Sequence, residues 1–255
     1  MEYLYLDRQR MLGYLEQANE PEAMNTIREA GFEAGIASLK ASGKSVQRPR
    51  AWTDHEAASR VEHLLYMAKD IDYGRPPSHV DTQSASRMFV TEVTTVTKVV
   101  VPVPKDADLD LRELIFWSAE PYAEDYDPAS PKWEAQGTFL LLIAHPSSAD
   151  GGYSGTWSGK SALHALLEQC FPSEAGRFVH LNQKRAGPKP VEILRELGGI
   201  VLEPRRVKCV YKKRSISNEL YYYVGEEERR SNLLIGYPLF IQEASFQLEA
   251  KVFQL

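Results

Sequence analysis

Cysteine is scarce in this sequence, and no cluster of metal-binding residue types replaces it. Only two of the 255 residues are cysteines, Cys170 and Cys209, and each lies within an apolar pattern. Two such cysteines provide neither a disulfide framework nor the paired spacing of a zinc site, so we expect buried, reduced thiols. The six histidines do not have the four-residue spacing of metalloprotease helices. We therefore predict no metal site and no cofactor.

Long apolar runs are also missing. The longest ones, such as residues 139–144, are far shorter than the roughly 20 residues that a membrane-spanning helix needs. We therefore expect no membrane span. The first residues, Met1 to Asp7, show neither a basic leader nor an extended apolar core, which predicts that there is no secretory signal. The sequence thus favours a cytoplasmic protein.

Charge is unevenly distributed along a chain whose net charge is −5. Basic residues are concentrated near the start of the last quarter, where they could neutralise phosphates of a nucleic acid. The candidate nucleic-acid-binding residues are Arg205, Arg206, Lys208, Lys212, Lys213 and Arg214. The alternative is a half-exposed strand, because alternation places Val207, Cys209 and Tyr211 on one face and basic residues on the other. The overall negative charge favours this second interpretation.

Secondary-structure signals predict an α+β fold, with a helical first third packed on a largely antiparallel mixed sheet. Thr53 and Glu56 form a capping-box pattern before an apolar stripe, which predicts a helix from there to about Asp70. Pro190 and Gly198 have the positions of a helix start and a helix stop. Short segments rich in β-branched and aromatic residues predict strands in the remainder, with ranges 88–103, 114–118, 138–144, 200–202, 206–212, 220–224, 233–241 and 246–252.

The chain length and composition fit one domain spanning residues 1–255. Apolar residues make up 43% of the chain and charged residues 25%, which is ordinary for a globular protein. A long acidic, proline-containing stretch places the one candidate domain boundary near residues 120–136. We find no internal repeat.

The opening residues resemble a family of uncharacterised bacterial proteins. Those proteins begin with a Phe/Tyr-Leu-Tyr-Leu-Asp strand followed by a helix that ends in Tyr-Leu-x-Gln. The matching residues here are Tyr3-Leu4-Tyr5-Leu6-Asp7 and Tyr14-Leu15-Glu16-Gln17. The family is a domain of unknown function, so the resemblance implies a bacterial cytosolic protein and assigns no catalytic residue.

A degenerate phosphate-binding loop is the strongest chemical motif. Such a loop needs a glycine, four further residues and then Gly-Lys-Ser/Thr, so that backbone N–H groups, the lysine and magnesium surround the phosphates. Here the candidate residues are Gly155, Gly159, Lys160 and Ser161, and Ser154 stands where the first glycine is expected. An NTPase also needs an acidic residue after a later strand, and only Glu203 comes close.

Three functional hypotheses follow. No group of residues predicts a catalytic site, since the neighbouring His145, Ser147 and Asp150 lack a nucleophile elbow. We therefore favour a non-enzymatic binding or regulatory module that engages a protein partner or a small ligand. The first alternative is an enzyme that binds a nucleotide or phosphate through the Gly-Lys-Ser loop. The second is nucleic-acid binding through the basic segment at residues 205–214.

Overall fold

The computed structural model describes residues 2–18, 52–75, 88–105, 107, 111–127, 129–131, 134–144, 159–174 and 185–244. Strands dominate these residues: β1 (Tyr3–Leu6), β2 (Ile71–Tyr73), β3 (Phe89–Pro102), β4 (Glu113–Ala119), β5 (Thr138–Ile143), β6 (Ile200–Val201), β7 (Arg205–Val224) and β8 (Glu227–Glu243). The α-helices of the same ranges are α1 (Arg8–Ala18), α2 (Asp54–Met67), α3 (Gly159–Cys170) and α4 (Pro190–Glu196).

The strands form one sheet that closes on itself. β3 pairs with β4, β4 with β5, β5 with β8, β8 with β7, and β7 pairs again with β3. β1 extends β8, while β2 and β6 extend β3. Most pairs are antiparallel; within the described ranges, β2 with β3 and β5 with β8 are the parallel ones. Closure into a small barrel leaves few strand edges without a partner.

Alternation along the strands divides the apolar residues between the barrel interior and its outer surface. The interior cluster contains no helix residue and includes Val96, Trp117, Leu142, Cys209 and Tyr211. Cys209 is therefore part of the core, and Cys170 lies in the cluster beneath α3. Both cysteines are free and buried, as expected from their apolar surroundings.

The helices cover the outside of the barrel in two pairs. Met11 of α1 and Val61 of α2 pack with Phe240 of β8. Leu166 of α3 and Ile193 of α4 belong to the cluster that covers Phe116 of β4. In the part of the chain that the structure describes, no helix is long and apolar enough to cross a membrane.

Two local predictions are confirmed. The amide of Glu56 donates to the Thr53 hydroxyl at 3.2 Å, and the Thr53 amide donates to the Glu56 carboxylate at 3.0 Å, which completes the capping box of α2. The helix ends at Met67, slightly earlier than expected. α4 begins at Pro190, and Gly198 follows it with a φ of +84°, a conformation that favours glycine.

The predicted fold class is wrong. The expected α+β protein with a helical first third is instead a mainly β protein, with its helices scattered along the chain. The error arises because strand length was underestimated. The separate strands predicted at 206–212 and 220–224 belong to one 20-residue strand, β7. Pairing with β8, although it contains register shifts, extends this strand through the polar residues between the two segments, a tertiary effect that local patterns do not show.

The segment near residues 120–136, proposed as a domain boundary, stays close to the barrel where it is described. The Gln136 amide donates to the Arg230 carbonyl at 2.8 Å, and the Arg75 guanidinium donates to the Glu120 carbonyl at 2.6 Å. The predicted strand at 246–252 lies outside the described residues. The single-domain assignment stays a prediction.

Candidate functional site

A cleft of about 1420 Å³ lies where β3 loses its neighbours on one side. On that side, β2 pairs with residues 89–91 of β3, and β4 pairs with residues 97–102. Between these two segments β3 pairs only with β7, on its other side, among the described strands. The lining comes from β3, the ends of β2 and β4, α4 and the region from β6 to β7: Tyr73, Gly74, Glu92–Thr95, Thr97, Ser118–Glu124, Val191, Arg195, Gly199, Val201–Pro204 and Arg206.

The Arg75 side chain connects the strands beside this cleft. Its Nε donates to Glu92 Oε2 at 3.2 Å, and its Nη2 donates to the Thr94 hydroxyl at 2.8 Å. Its Nη1 donates to the backbone carbonyls of Glu120 at 2.6 Å and Thr138 at 2.9 Å. The guanidinium therefore ties β3 to the end of β4 and the start of β5, where direct strand pairing is missing.

Glu92 is the charged partner of Arg75 inside the barrel. The side chains of both residues are only 1% exposed. The Tyr211 hydroxyl donates to Glu92 Oε1 at 2.8 Å, and the Tyr122 hydroxyl also donates to this carboxylate. The centroid of the Tyr122 ring lies 4.5 Å from the guanidinium carbon of Arg75, within range of a cation–π contact. A buried charge pair of this kind is tolerated because its hydrogen-bonding groups are satisfied.

Both tyrosines keep their protons at neutral pH. Burial raises the pKa of Tyr211, and the nearby Glu92 charge raises it further. Burial and the Glu92 charge likewise raise the pKa of Tyr122. The hydroxyls therefore act as hydrogen-bond donors to the Glu92 carboxylate. The arrangement holds a fixed charge pair beneath the cleft and gives it a stable shape.

Ser118 belongs to the lining of the cleft, and its hydroxyl lacks a hydrogen-bond partner among the described residues. It is 2% exposed, and its hydroxyl makes no hydrogen bond within the described residues. A buried hydroxyl without a partner destabilises a protein unless water or a ligand satisfies it. Because this hydroxyl is buried within the wall of the cleft, it adds no hydrogen-bonding group at the cleft surface.

The rim of the cleft carries charges of both signs. Glu120 pairs with Lys189 at 3.0 Å. Glu124, Glu203 and Arg195 are exposed and form no ion pair with another described residue. Because the rim combines acidic and basic groups, it does not resemble a site that selects one sign of charge.

The residues that build this site were not predicted from the sequence. Glu92 could have been noticed, because it stands on the same strand face as Val90 and Val96, which are buried. A carboxylate at a core position is a signal for a charged partner. Nothing in the sequence identified that partner as Arg75, which follows β2 and is brought to Glu92 by the parallel pairing of β2 with β3.

The predicted phosphate-binding residues are only partly described. α3 begins at Gly159, and Lys160 and Ser161 lie in its first turn. Gly155 lies outside the described residues, so the loop geometry is not defined. Phosphate binding through Gly155, Gly159, Lys160 and Ser161 stays a prediction.

The predicted nucleic-acid-binding residues all lie on β7. Three of them form ion pairs with carboxylates: Arg205 with Glu243 at 3.0 Å, Lys208 with Glu62 at 2.6 Å and Lys213 with Asp72 at 2.9 Å. These pairs reduce the positive charge that β7 offers to phosphates.

The other three basic residues of this set are in different surroundings. Lys212 is buried, the Arg214 guanidinium carbon lies 5.3 Å from the centroid of the Tyr237 ring, and Arg206 lines the cleft. The six residues therefore do not form one exposed basic stripe. Nucleic-acid binding through them stays a prediction.

Comparisons with known proteins give no relative. No family model matches the chain, and no curated protein or solved structure matches it either. The resemblance of the opening residues to an uncharacterised bacterial family stays a prediction.

Proposed function

We propose that this protein is a binding module whose ligand occupies the cleft beside the middle of β3. The observation that carries this proposal is the cleft itself, about 1420 Å³ in volume and built on the buried Arg75–Glu92 pair. Ligand pockets commonly have volumes of about 300 to 1,000 Å³, so this cleft is large enough for a small molecule or a short chain segment.

The lining supports binding because it combines apolar contact surface with a few polar groups. Tyr73 and Leu202 are 43% and 44% exposed, respectively, so a ligand that covered them would remove apolar surface from water. The exposed side chains of Glu124, Arg195 and Glu203 add polar groups that can form hydrogen bonds. Such a combination gives affinity through burial and orientation through hydrogen bonds.

The surroundings of the cleft also favour binding. Arg75 is held by four groups on three chain segments, so the walls formed by β3 and the end of β4 have a fixed relative position. A ligand then loses less free energy to the ordering of its site. Such preorganisation is typical of functional sites.

Native mass spectrometry can test the proposal while the ligand is still unidentified, because it reports any bound mass. The full-length protein would be purified gently from the cells that naturally make it, alongside two variants. Thr97→Trp places a large side chain at a half-buried position of the cleft. Glu113→Trp places the same side chain at an exposed position on β4, outside the cleft.

We expect the wild type and Glu113→Trp to carry the same bound mass, and Thr97→Trp to lose it. A bare wild-type protein, or a bound mass that survives in Thr97→Trp, would contradict the proposal. A nucleotide-sized mass lost in Lys160→Ala but kept in Thr97→Trp would favour the phosphate-loop hypothesis instead.

A further inference from the structure

The backbone of β3 directs alternate residues toward opposite neighbours. The Phe89 amide donates to the Asp70 carbonyl, and the Gly74 amide donates to the Thr91 carbonyl, both on the β2 side. The Val103 amide donates to the carbonyl of Arg112, the residue before β4, which lies on the same side of β3. Odd-numbered residues of β3 therefore direct their backbone N–H and C=O groups toward β2 and β4.

Even-numbered residues of β3 direct their backbone N–H and C=O groups to the opposite side, toward β6 and β7. The Lys98 carbonyl accepts from the Leu202 amide, just after β6, and β7 continues along the same side. It follows that the backbone groups of Glu92, Thr94 and Val96 form the hydrogen bonds with β7. The backbone N–H and C=O groups of Val93 and Thr95 point away from β7.

Val93 and Thr95 consequently direct toward the cleft backbone groups that no described strand pairs with. β2 ends at Tyr73, and Gly74 turns the chain away with a φ of +83°. β4 ends at Ala119. Within the described ranges, no backbone hydrogen bond from another strand reaches Val93 or Thr95 on that side. Both residues line the cleft.

An unpaired strand edge is a template for another extended chain. Several recognition domains use such an edge to bind a peptide as an additional strand, with main-chain hydrogen bonds providing the affinity. We propose that the cleft takes an extended peptide segment of a partner protein, which adds a strand to β3 at Val93 and Thr95. This inference rests on the proposed function and specifies its ligand.

The walls of the cleft define the chemistry of this segment. In the register of β3 with β4, Ala119 stands opposite Val96, so residues 92–95 remain between β2 and β4. These residues span about 10 Å at the usual strand rise, so about three or four peptide residues fit there. Peptide side chains that point toward the barrel meet a space already filled by Arg75 and Tyr122, which selects glycine, alanine or serine. Val201 and Leu202 offer an apolar wall for side chains that point outward.

The charges at the rim agree with recognition of the main chain. Arg195 is the unpaired basic group, while Glu124 and Glu203 are unpaired acidic groups among the described residues. A site for a small anion or cation would concentrate one sign. A peptide backbone is neutral, and its alternating donors and acceptors match the groups of Val93 and Thr95.

A proline substitution separates main-chain recognition from side-chain recognition. Thr95→Pro removes the N–H group that faces the cleft, and it leaves the ladder with β7 intact because the Thr95 amide is not part of it. Thr95→Ala is the matched control, because it removes the side chain and keeps the N–H group. Far-ultraviolet circular dichroism and cooperative unfolding of the variants establish that they are folded.

The probe is a phage-displayed library of random heptapeptides, panned on the full-length wild-type protein. Synthetic versions of the enriched peptides are then measured by fluorescence polarisation against the wild type and the two variants. We expect Thr95→Pro to weaken binding about tenfold or more, since a lost hydrogen bond leaves its buried partner unsatisfied. We expect Thr95→Ala to change the affinity by less than about threefold.

N-methylated peptides give a second test that does not depend on folding of a variant. Methylation of the peptide amides that pair with β3 should abolish binding to the wild type, and methylation of the intervening amides should not. This pattern follows from the alternation of hydrogen-bonding groups along a strand.

Three outcomes would overturn the inference: no peptide enriched on the wild type, equal affinity for wild type and Thr95→Pro, or indifference to the position of methylation. A native ligand that is lost in Thr97→Trp but retained in Thr95→Pro would also overturn it. That last result would leave the proposed cleft-binding function standing with a different class of ligand.

Discussion

Replacing Arg75 with methionine should destabilise the protein by several kilocalories per mole. Methionine retains an unbranched apolar chain and removes the guanidinium. Glu92 would then remain buried without its basic partner, although Tyr122 and Tyr211 would still donate to it. The carbonyls of Glu120 and Thr138 would lose the donor that they share.

The magnitude follows from these lost contacts. Removal of one partner from a buried ion pair typically destabilises a protein by about 3–5 kcal/mol, because the remaining charge is uncompensated. The Thr138 carbonyl lies in the barrel wall, whereas water can reach the Glu120 carbonyl at the cleft. We therefore expect a loss of about 4 kcal/mol in the free energy of unfolding for Arg75→Met.

A double-mutant cycle isolates the ion pair from the other contacts of Arg75. Urea unfolding, followed by circular dichroism, would give the free energies of unfolding for the wild type, Arg75→Met, Glu92→Gln and the double variant. The double variant should be less destabilised than the sum of the single variants by about 2 kcal/mol. Arg112→Met, at an exposed position, is the control and should change stability by less than about 0.5 kcal/mol.

Additive effects of the two substitutions would refute the assignment of a coupled pair. A loss of less than about 1 kcal/mol for Arg75→Met would also refute it, since such a value is typical of an exposed ion pair.

Three further predictions concern local packing and titration. Thr53→Ala should lower the free energy of unfolding by about 1 kcal/mol through loss of the capping box, measured by urea unfolding; an unchanged midpoint would contradict this. Gly236→Ala should destabilise by about 1–3 kcal/mol, because the added Cβ would lie 2.8 Å from the Lys212 carbonyl oxygen; an unchanged melting temperature would exclude this close approach. Burial raises the pKa of Cys170 from 9.0 to about 11 and that of Tyr14 from 10.0 to about 12. The folded protein thus holds these protons more tightly than the unfolded chain does. These two groups should therefore leave the free energy of unfolding unchanged below about pH 9 and lower it progressively from there to about pH 12. Cys170→Ala removes the thiol, so the melting temperature of this variant should decrease less than that of the wild type up to about pH 11. An identical decrease in the two proteins would contradict burial of the Cys170 thiol as a cause.

Local elements could be predicted from the sequence because their signals are local. The capping box at Thr53, the helix between Pro190 and Gly198, and strands β4 and β5 all follow from residues within a few positions of each other. Each depends on backbone hydrogen bonding or alternation that the same short segment provides.

Closure of the barrel could not be predicted in this way. It depends on β8, which pairs with β7 on one side and with β5 and β1 on the other. Parallel pairing of β5 with β8 joins segments about ninety residues apart, and no local pattern encodes it. The prediction of an α+β fold gave helices too much weight for the same reason, since helix caps are local signals and sheet closure is not.

The candidate site was missed because it arises from an interruption in strand pairing. Val93 and Thr95 are ordinary residues of a Val/Thr-rich strand, and their significance comes from where β2 and β4 end. The Gly-Lys-Ser loop could be proposed from the sequence because phosphate-binding loops have a recognisable sequence pattern. Backbone recognition at a strand edge has none, since every residue except proline offers the same groups.

Amide hydrogen exchange on β3 reports directly whether the edge of this strand is unpaired. In the free protein, the amides of Val93 and Thr95 should exchange much faster than those of Glu92 and Thr94, which pair with β7. A ligand of the cleft should slow Val93 and Thr95 and leave the other two unchanged. Equally slow exchange of all four amides in the free protein would rule out a free edge at Val93 and Thr95, because β3 would then already be paired there.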